Sequence, residues 1–185
     1  MKQKSAVLAL IAIVFAILAS GTYAYFTTED TARNVITSGV VDIDLVEKHE
    51  NEDGTIVDFP GKITGVMPGS TVSKIVSVTN NDAKSWIRLT VDVKIIGQDG
   101  KELSTDVVSY EVDETKWLVK DGFYYYREPL ETGASTDALF EEVLFATSMG
   151  NEYQNCETEI LVTAQAVQFV HNGATVEEAA GWPEL

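Results

Sequence analysis

The sequence predicts an all-β domain, an antiparallel sandwich or jelly roll, preceded by an N-terminal signal-peptide helix. The first observation is alternation: Ile87, Leu89, Val91, Val93 and Ile95 are apolar, with Arg88, Thr90, Asp92 and Lys94 between them. A two-residue period over this length belongs to a half-buried strand and not to a helix. The second is punctuation, because Pro68-Gly69, Asn80-Asn81-Asp82, Asp99-Gly100 and Gly133 part the strand candidates with turn chemistry. Many short strands between such turns predict a sandwich or jelly roll. The third is the N-terminus, whose composition is unlike that of the rest.

Lys2 and Lys4 give a cationic start, and Ala6 to Ala19 then run for 14 residues without a polar side chain. A charged start, a short apolar stretch and a small-residue exit are the layout of a secretory signal peptide. The run is shorter than the roughly 20 residues that a membrane-spanning helix needs. Residues 1–24 are therefore assigned to a signal peptide cut between Ala24 and Tyr25. Counting Tyr23, Tyr25 and Phe26 as interfacial anchors gives the alternative, an uncleaved membrane anchor. Residues 25–39 follow as an extended segment, and residues 40–185 form one domain.

Within the domain, Val41–Leu45, Val72–Val78, Val108–Val112 and Ile160–Phe169 are the further strand candidates. Trp117–Val119 and Phe123–Tyr126 flank Asp121-Gly122, which accepts the positive φ angles of a tight hairpin turn. Thr136–Ala146 mixes helical spacing with a strand-like end. Thr175–Ala180 has room for one helical turn, with Trp182 placed to dock. Glu47–Gly54 reads as an exposed acidic loop turning at Asp53-Gly54.

The chain carries 29 acids against 13 bases, a formal charge of −16, and loss of residues 1–24 takes it to −18. Such a surface repels phosphate backbones, and no cluster of Lys and Arg offsets it, so nucleic acid is not an expected partner. Cys156 is the one cysteine. Without a disulfide the fold relies on its core, and Cys156 is expected to be a half-buried spectator just before a strand.

The search for reaction chemistry finds no catalytic set. His49 and Glu50 are followed by Asn51, Glu52 and Asp53, so the H-E-x-x-H zinc helix is missing, and His171 lies far off in sequence. Asp42 and Asp44 alternate along a strand and share a face, which is either a solvent face or an oxygen-rich face for calcium. No nucleophile elbow and no phosphate loop occur. Pro129–Gly133 echoes a cell-wall sorting signal without its Leu-Pro order or hydrophobic tail. Tyr124-Tyr125-Tyr126 puts at most two rings on one surface, and Trp86 and Trp117 are assigned to packing. No catalytic residue, metal ligand or cofactor is assigned.

The junction Gly21-Thr22-Tyr23-Ala24-Tyr25-Phe26-Thr27 leads to Ile36-Thr37-Ser38-Gly39-Val40-Val41-Asp42-Ile43, then Met67-Pro68-Gly69-Ser70 and Val78-Thr79-Asn80-Asn81. This order resembles the TasA/camelysin family of Gram-positive bacteria, whose signal peptide is cut by a dedicated signal peptidase of the endoplasmic-reticulum type. Asp121–Tyr126 and Ala164–Gln168 are similar to clostridial members. The resemblance implies a jelly-roll domain, secretion, and assembly into biofilm-matrix fibres or attachment at the cell surface. In the family's fibres the mature N-terminal segment of one subunit completes the sheet of the next, and the matching stretch here is Tyr25–Thr37. Phe26, Thr28, Val35 and Ile36 are the residues assigned to that donation, since an extended strand supplies backbone hydrogen bonds while alternate side chains fill grooves. The same stretch has an alternative as a leader or an edge strand of its own domain.

The expected function is a secreted structural protein, a fibre subunit or an accessory. Its expected partners are the signal peptidase, further copies of itself and other fibre subunits, with membrane contact only through the signal peptide. The first alternative is a camelysin-like extracellular metallopeptidase, against which the missing zinc motif stands. The second is a monomeric surface adhesion module.

Overall fold

The computed structural model describes residues 34–37 and 41–184. The expected signal helix, the cleavage point at Ala24 and Tyr25, and the donor residues Phe26 and Thr28 lie outside the described residues.

Alongside one short 3-10 turn (Asn151–Tyr153), thirteen strands account for the regular structure among the described residues. In chain order they are β1 (Asn34–Thr37), β2 (Ile43–Glu50), β3 (Ile56–Asp58), β4 (Lys62–Thr64), β5 (Thr71–Ser73), β6 (Ile75–Asn80), β7 (Ser85–Ile96), β8 (Glu102–Leu103), β9 (Val108–Ser109), β10 (Trp117–Lys120), β11 (Phe123–Tyr126), β12 (Glu142–Phe145) and β13 (Glu157–Gln168). The fold is all-β and its sheets are antiparallel apart from the β1–β13 pair.

The largest sheet runs β1-β13-β7-β11-β10, with β4 also on β13 and β8 also on β7. Its spine is the β7–β13 ladder, 12 antiparallel pairs from Glu157 opposite Ile96 to Gln168 opposite Ser85. The alternation seen in sequence sets its inner face, where Ile87, Leu89 and Ile95 are fully buried and Val91 and Val93 pack against them.

The other layer is β3-β2-β6 together with β5-β12-β9. These join because β5 and β6 are one stretch interrupted at Lys74, and the chain from Gly133 to Phe145 runs back along both. Gly133 N–H donates to Asn80, Thr136 to Val78 and Leu139 to Val76, and Glu142 then pairs with Ser73. Val41, Ile43, Leu45, Val76 and Val78 from this layer share one core with Leu89, Trp117, Ile160 and Val162 from the large sheet. The arrangement is sandwich-like. Each large apolar side chain buried this way contributes about 1.5–3 kcal/mol.

The Asp121-Gly122 hairpin forms as expected, with φ of 52° and 79° and Lys120 opposite Phe123. Several boundaries differ from expectation. Val72–Val78 is broken at Lys74, and of Val108–Val112 only the first two residues form a strand. Thr136–Ala146 contains no helix: Leu139, Phe140 and Val143 enter the core, and β12 forms where the chain meets β5. Glu47–Gly54 is not an acidic loop throughout, because β2 continues to Glu50 and Glu47 is buried. Cys156 is fully rather than half-buried, at 2% exposure. Thr175–Ala180 makes one hydrogen-bonded turn, from Glu178 N–H to Thr175 and Ala179 N–H to Val176.

Two tyrosines make the fold sensitive to alkali. Tyr126 donates to Asp137 Oδ2 at 2.6 Å, and Tyr110 shares a 2.8 Å hydrogen bond with Tyr124. Burial, then the bond to Asp137, pushes the Tyr126 phenol up to about 12; burial, then the bond to Tyr124, also raises Tyr110. As pH climbs through the ordinary value of 10, the unfolded chain releases these protons first. Unfolding free energy is therefore expected to fall with rising pH above that point, and Tyr110→Phe or Tyr126→Phe should flatten the slope. Denaturant titrations across alkaline pH, with phenolate absorbance alongside, check this.

Candidate functional site

Period two brings polar residues to the inner face of the smaller layer. From Val41 into β2 the inward series is Val41, Ile43, Leu45 and then Glu47, each buried, while Asp42 and Asp44 face out. Along β5 and β6 it is Val72, Lys74, Val76 and Val78. Glu47 and Lys74 meet, with Nζ 2.5 Å from Oε1. The Lys74 ammonium also sits 3.8 Å from the centroid of the Phe59 ring, whose backbone N–H donates to the Glu47 carbonyl. His49 stands edge-on to Phe59 at 6.2 Å, and its Nδ1 is buried without a hydrogen-bond partner. Burial lowers the Lys74 pKa from the ordinary lysine value, and Glu47 opposes that shift. Lys74 is completely buried, so the pair ties the β5–β6 junction to β2 inside the core.

A second buried cation lies on the opposite face of the large sheet. Arg88 on β7 and Gln165 on β13 are cross-strand neighbours, and Arg88 Nε–H donates to Gln165 Oε1 at 2.6 Å. Its guanidinium lies 3.9 Å from the Phe123 centroid, 4.6 Å from Trp182 and 5.9 Å from Tyr125. Nη2 donates to the Pro183 carbonyl. Among the described residues no carboxylate pairs with it, so three aromatic rings replace the usual acid. Gln165 Nε2 is buried without a partner.

Residues 169–184 form a strap that covers this end of the outer face. Val176 of the strap is buried against Trp86 and Val167 of the sheet, with Tyr125, Phe169, Ala179 and Trp182 around them. Asn172 ties the strap down. Its Nδ2 donates to the Gln168 and Ala180 carbonyls, its Oδ1 accepts from Ala180 N–H, and its backbone carbonyl accepts from the Trp86 indole. Trp182 docks edge-on against Tyr125 at 5.8 Å, and its indole N–H donates to the Ala179 carbonyl at 3.0 Å.

The expected donor residues divide. Val35 and Ile36 lie in β1, where they stand in parallel register opposite Ala164 and Gln165. The last four residues of Tyr25–Thr37 thus pair with their own chain's β13, the alternative open from sequence. The rest of the segment lies outside the described residues.

His49 and His171 do not converge: one is on β2 and the other in an exposed turn at φ 59°. Asp42 and Asp44 are both exposed, and Asp44 accepts from Asn81 Nδ2. No three His, Cys, Asp or Glu side chains group to hold a metal ion among the described residues. Tyr124 and Tyr126 face the core and Tyr125 the strap. Sequence reasoning missed Glu47, Lys74 and Arg88. The first two were visible as charges on the apolar beat of their strands, whereas burial of Arg88 depends on a strap that no local pattern announces.

Removing one member of the buried pair should be costly, since it strands a charge in the core. Glu47→Ala is expected to lose about 3–5 kcal/mol, while Glu47→Leu with Lys74→Met should equal the native protein or exceed it. Urea unfolding of the single and double variants checks this.

Comparison with known proteins returns no match to a family model, a curated protein or a solved structure.

Proposed function

We propose that this is a secreted structural protein of the cell surface or biofilm matrix, a fibre subunit or an accessory, built on a jelly-roll sandwich and assembling by strand donation. The observation that carries this reading is the placement of β1. It lies on the outer edge of β13 through four parallel pairs, although the two strands stand at opposite ends of the sequence. A parallel pair needs a long connection in any case, so this ladder does not depend on a tight turn to form it. The same strand from a second copy makes the same backbone hydrogen bonds on the same edge. The exchange is nearly neutral for one pair of molecules and propagates when every copy both donates and accepts.

The signal-peptide layout of residues 1–24 and the excess of acids support export. The ordered motifs from Gly21 to Asn81 support the resemblance to the TasA/camelysin family. On this reading the partners are a signal peptidase and other fibre subunits, and no cofactor or catalytic residue is required.

Two measurements test it. N-terminal sequencing of the secreted protein is expected to begin at Tyr25, and recovery of the full chain held in membrane argues for an anchor. Deleting residues 25–37 is expected to abolish fibre formation or joining while leaving a folded monomer. Each backbone hydrogen bond lost from β13 lowers stability by about 1 kcal/mol. The β7–β13 ladder remains whole. A deletion variant that unfolds, or an intact protein that stays monomeric at high concentration alone and with other fibre proteins, overturns strand donation.

A further inference from the structure

Asn172-Gly173 is the chain's one Asn-Gly pair, beside three Asp-Gly pairs at Asp53, Asp99 and Asp121. Glycine has no Cβ to shield its backbone nitrogen, so that nitrogen reaches the preceding side-chain amide more readily than in any other residue pair. Gly173 N–H makes no hydrogen bond among the described residues, whereas the Asn172 amide is held by three, at 2.8–3.0 Å. The nucleophile is free and the electrophile is pinned. Turning Asn172 Cγ toward Gly173 N breaks all three bonds at once, and these bonds hold the strap closed.

We propose that Asn172 is a site of spontaneous deamidation and that its conversion releases the strap from the outer face of the large sheet. When the strap opens, Gly173 N attacks Asn172 Cγ and loses its proton. The Cγ–Nδ2 bond breaks and the nitrogen leaves as ammonia. Water then opens the resulting succinimide at either carbonyl, giving aspartate or isoaspartate at that position. In sum, one water is consumed and one ammonia released, with no oxidant or reductant.

The product does not fit the closed strap. Nδ2 now donates to the Gln168 and Ala180 carbonyls; a carboxylate there has no proton to give and faces two carbonyl oxygens. Isoaspartate also lengthens the backbone by one methylene just before Gly173, whose φ of 83° belongs to the tight turn that the closed strap requires. Closure after conversion is therefore blocked chemically as well as electrostatically. The uncovered face carries Trp86, Tyr125 and the Arg88 guanidinium, which loses both Trp182 and its bond to Pro183. The chain thus contains a one-way timer, which runs only while the strap is open.

The test uses the full-length protein, incubated in mildly alkaline buffer either folded or unfolded in guanidinium, with peptide mapping of Asn172 over time. A strap open for a tenth of the time or less slows conversion in the folded protein at least about tenfold relative to the unfolded chain. Limited proteolysis of the folded sample is then expected to cleave residues 173–184 in the converted molecules first. Asn172→Asp should show the same cleavage with emission from the core residue Trp117 retained. Because wild-type protein converts after folding, the test stands even if that variant fails to fold. Equal conversion rates in the two samples, or converted molecules whose strap resists protease as well as unconverted ones, overturn the proposal.

Discussion

The ladder between β7 and β13 is the constraint from which the other elements take their places. Both strands are 12 residues long and paired along their whole length. Their inner side chains line one wall of the core. Their outer edges recruit partners piecemeal: β1 and β4 on β13, β11 and β8 on β7. Neither recruited pair spans the length of the spine, so the sheet is firm at its centre and interrupted at both flanks. A Gly or Pro within either long strand would disturb the core wall and several short strands at once.

Two buried cations are accommodated in different ways, each suited to its chemistry. The Lys74 ammonium is a compact charge, and a single carboxylate with one ring face is enough to hold it. The Arg88 guanidinium is planar and weakly hydrated, so it stacks against aromatic rings and gives its edges to a side-chain amide and a backbone carbonyl. The first pair joins two neighbouring strands of one layer. The second joins elements far apart in sequence, from β7 to the strap. Burial of Arg88 therefore depends on the C-terminal residues staying in place, and that of Lys74 does not.

Much of the fold was legible because its signals are local. The alternation of β7 and the Asp121-Gly122 turn each rest on a few adjacent residues. The misreadings share another cause. Glu47 looked like part of an acidic loop because its neighbours are acids, yet its position on the Val41, Ile43, Leu45 series decided its burial. Thr136–Ala146 kept an ambiguous period because its hydrogen bonds go to β5 and β6, some 60 residues earlier in the chain. Arg88 and Gln165 lie on what periodicity marks as a solvent face, and only a distant segment folding back makes that face dry. Strand pairing between chain ends is equally silent in sequence, which is why β1 could be assigned to a neighbour's sheet or to its own with the same residues.

The direction of β1 has a mechanical consequence. Because it runs parallel to β13, Asn34 stands by Thr163 and Thr37 by Ala166, so the N-terminal end of one strand and the C-terminal end of the other lie at opposite ends of the ladder. Tension applied between the leading and trailing parts of the chain loads these hydrogen bonds side by side, in shear. An antiparallel pair pulled from the same two points would open one bond at a time like a zipper. A strand held by only four residue pairs thus resists lengthwise force out of proportion to its size, and yields easily to a sideways peel.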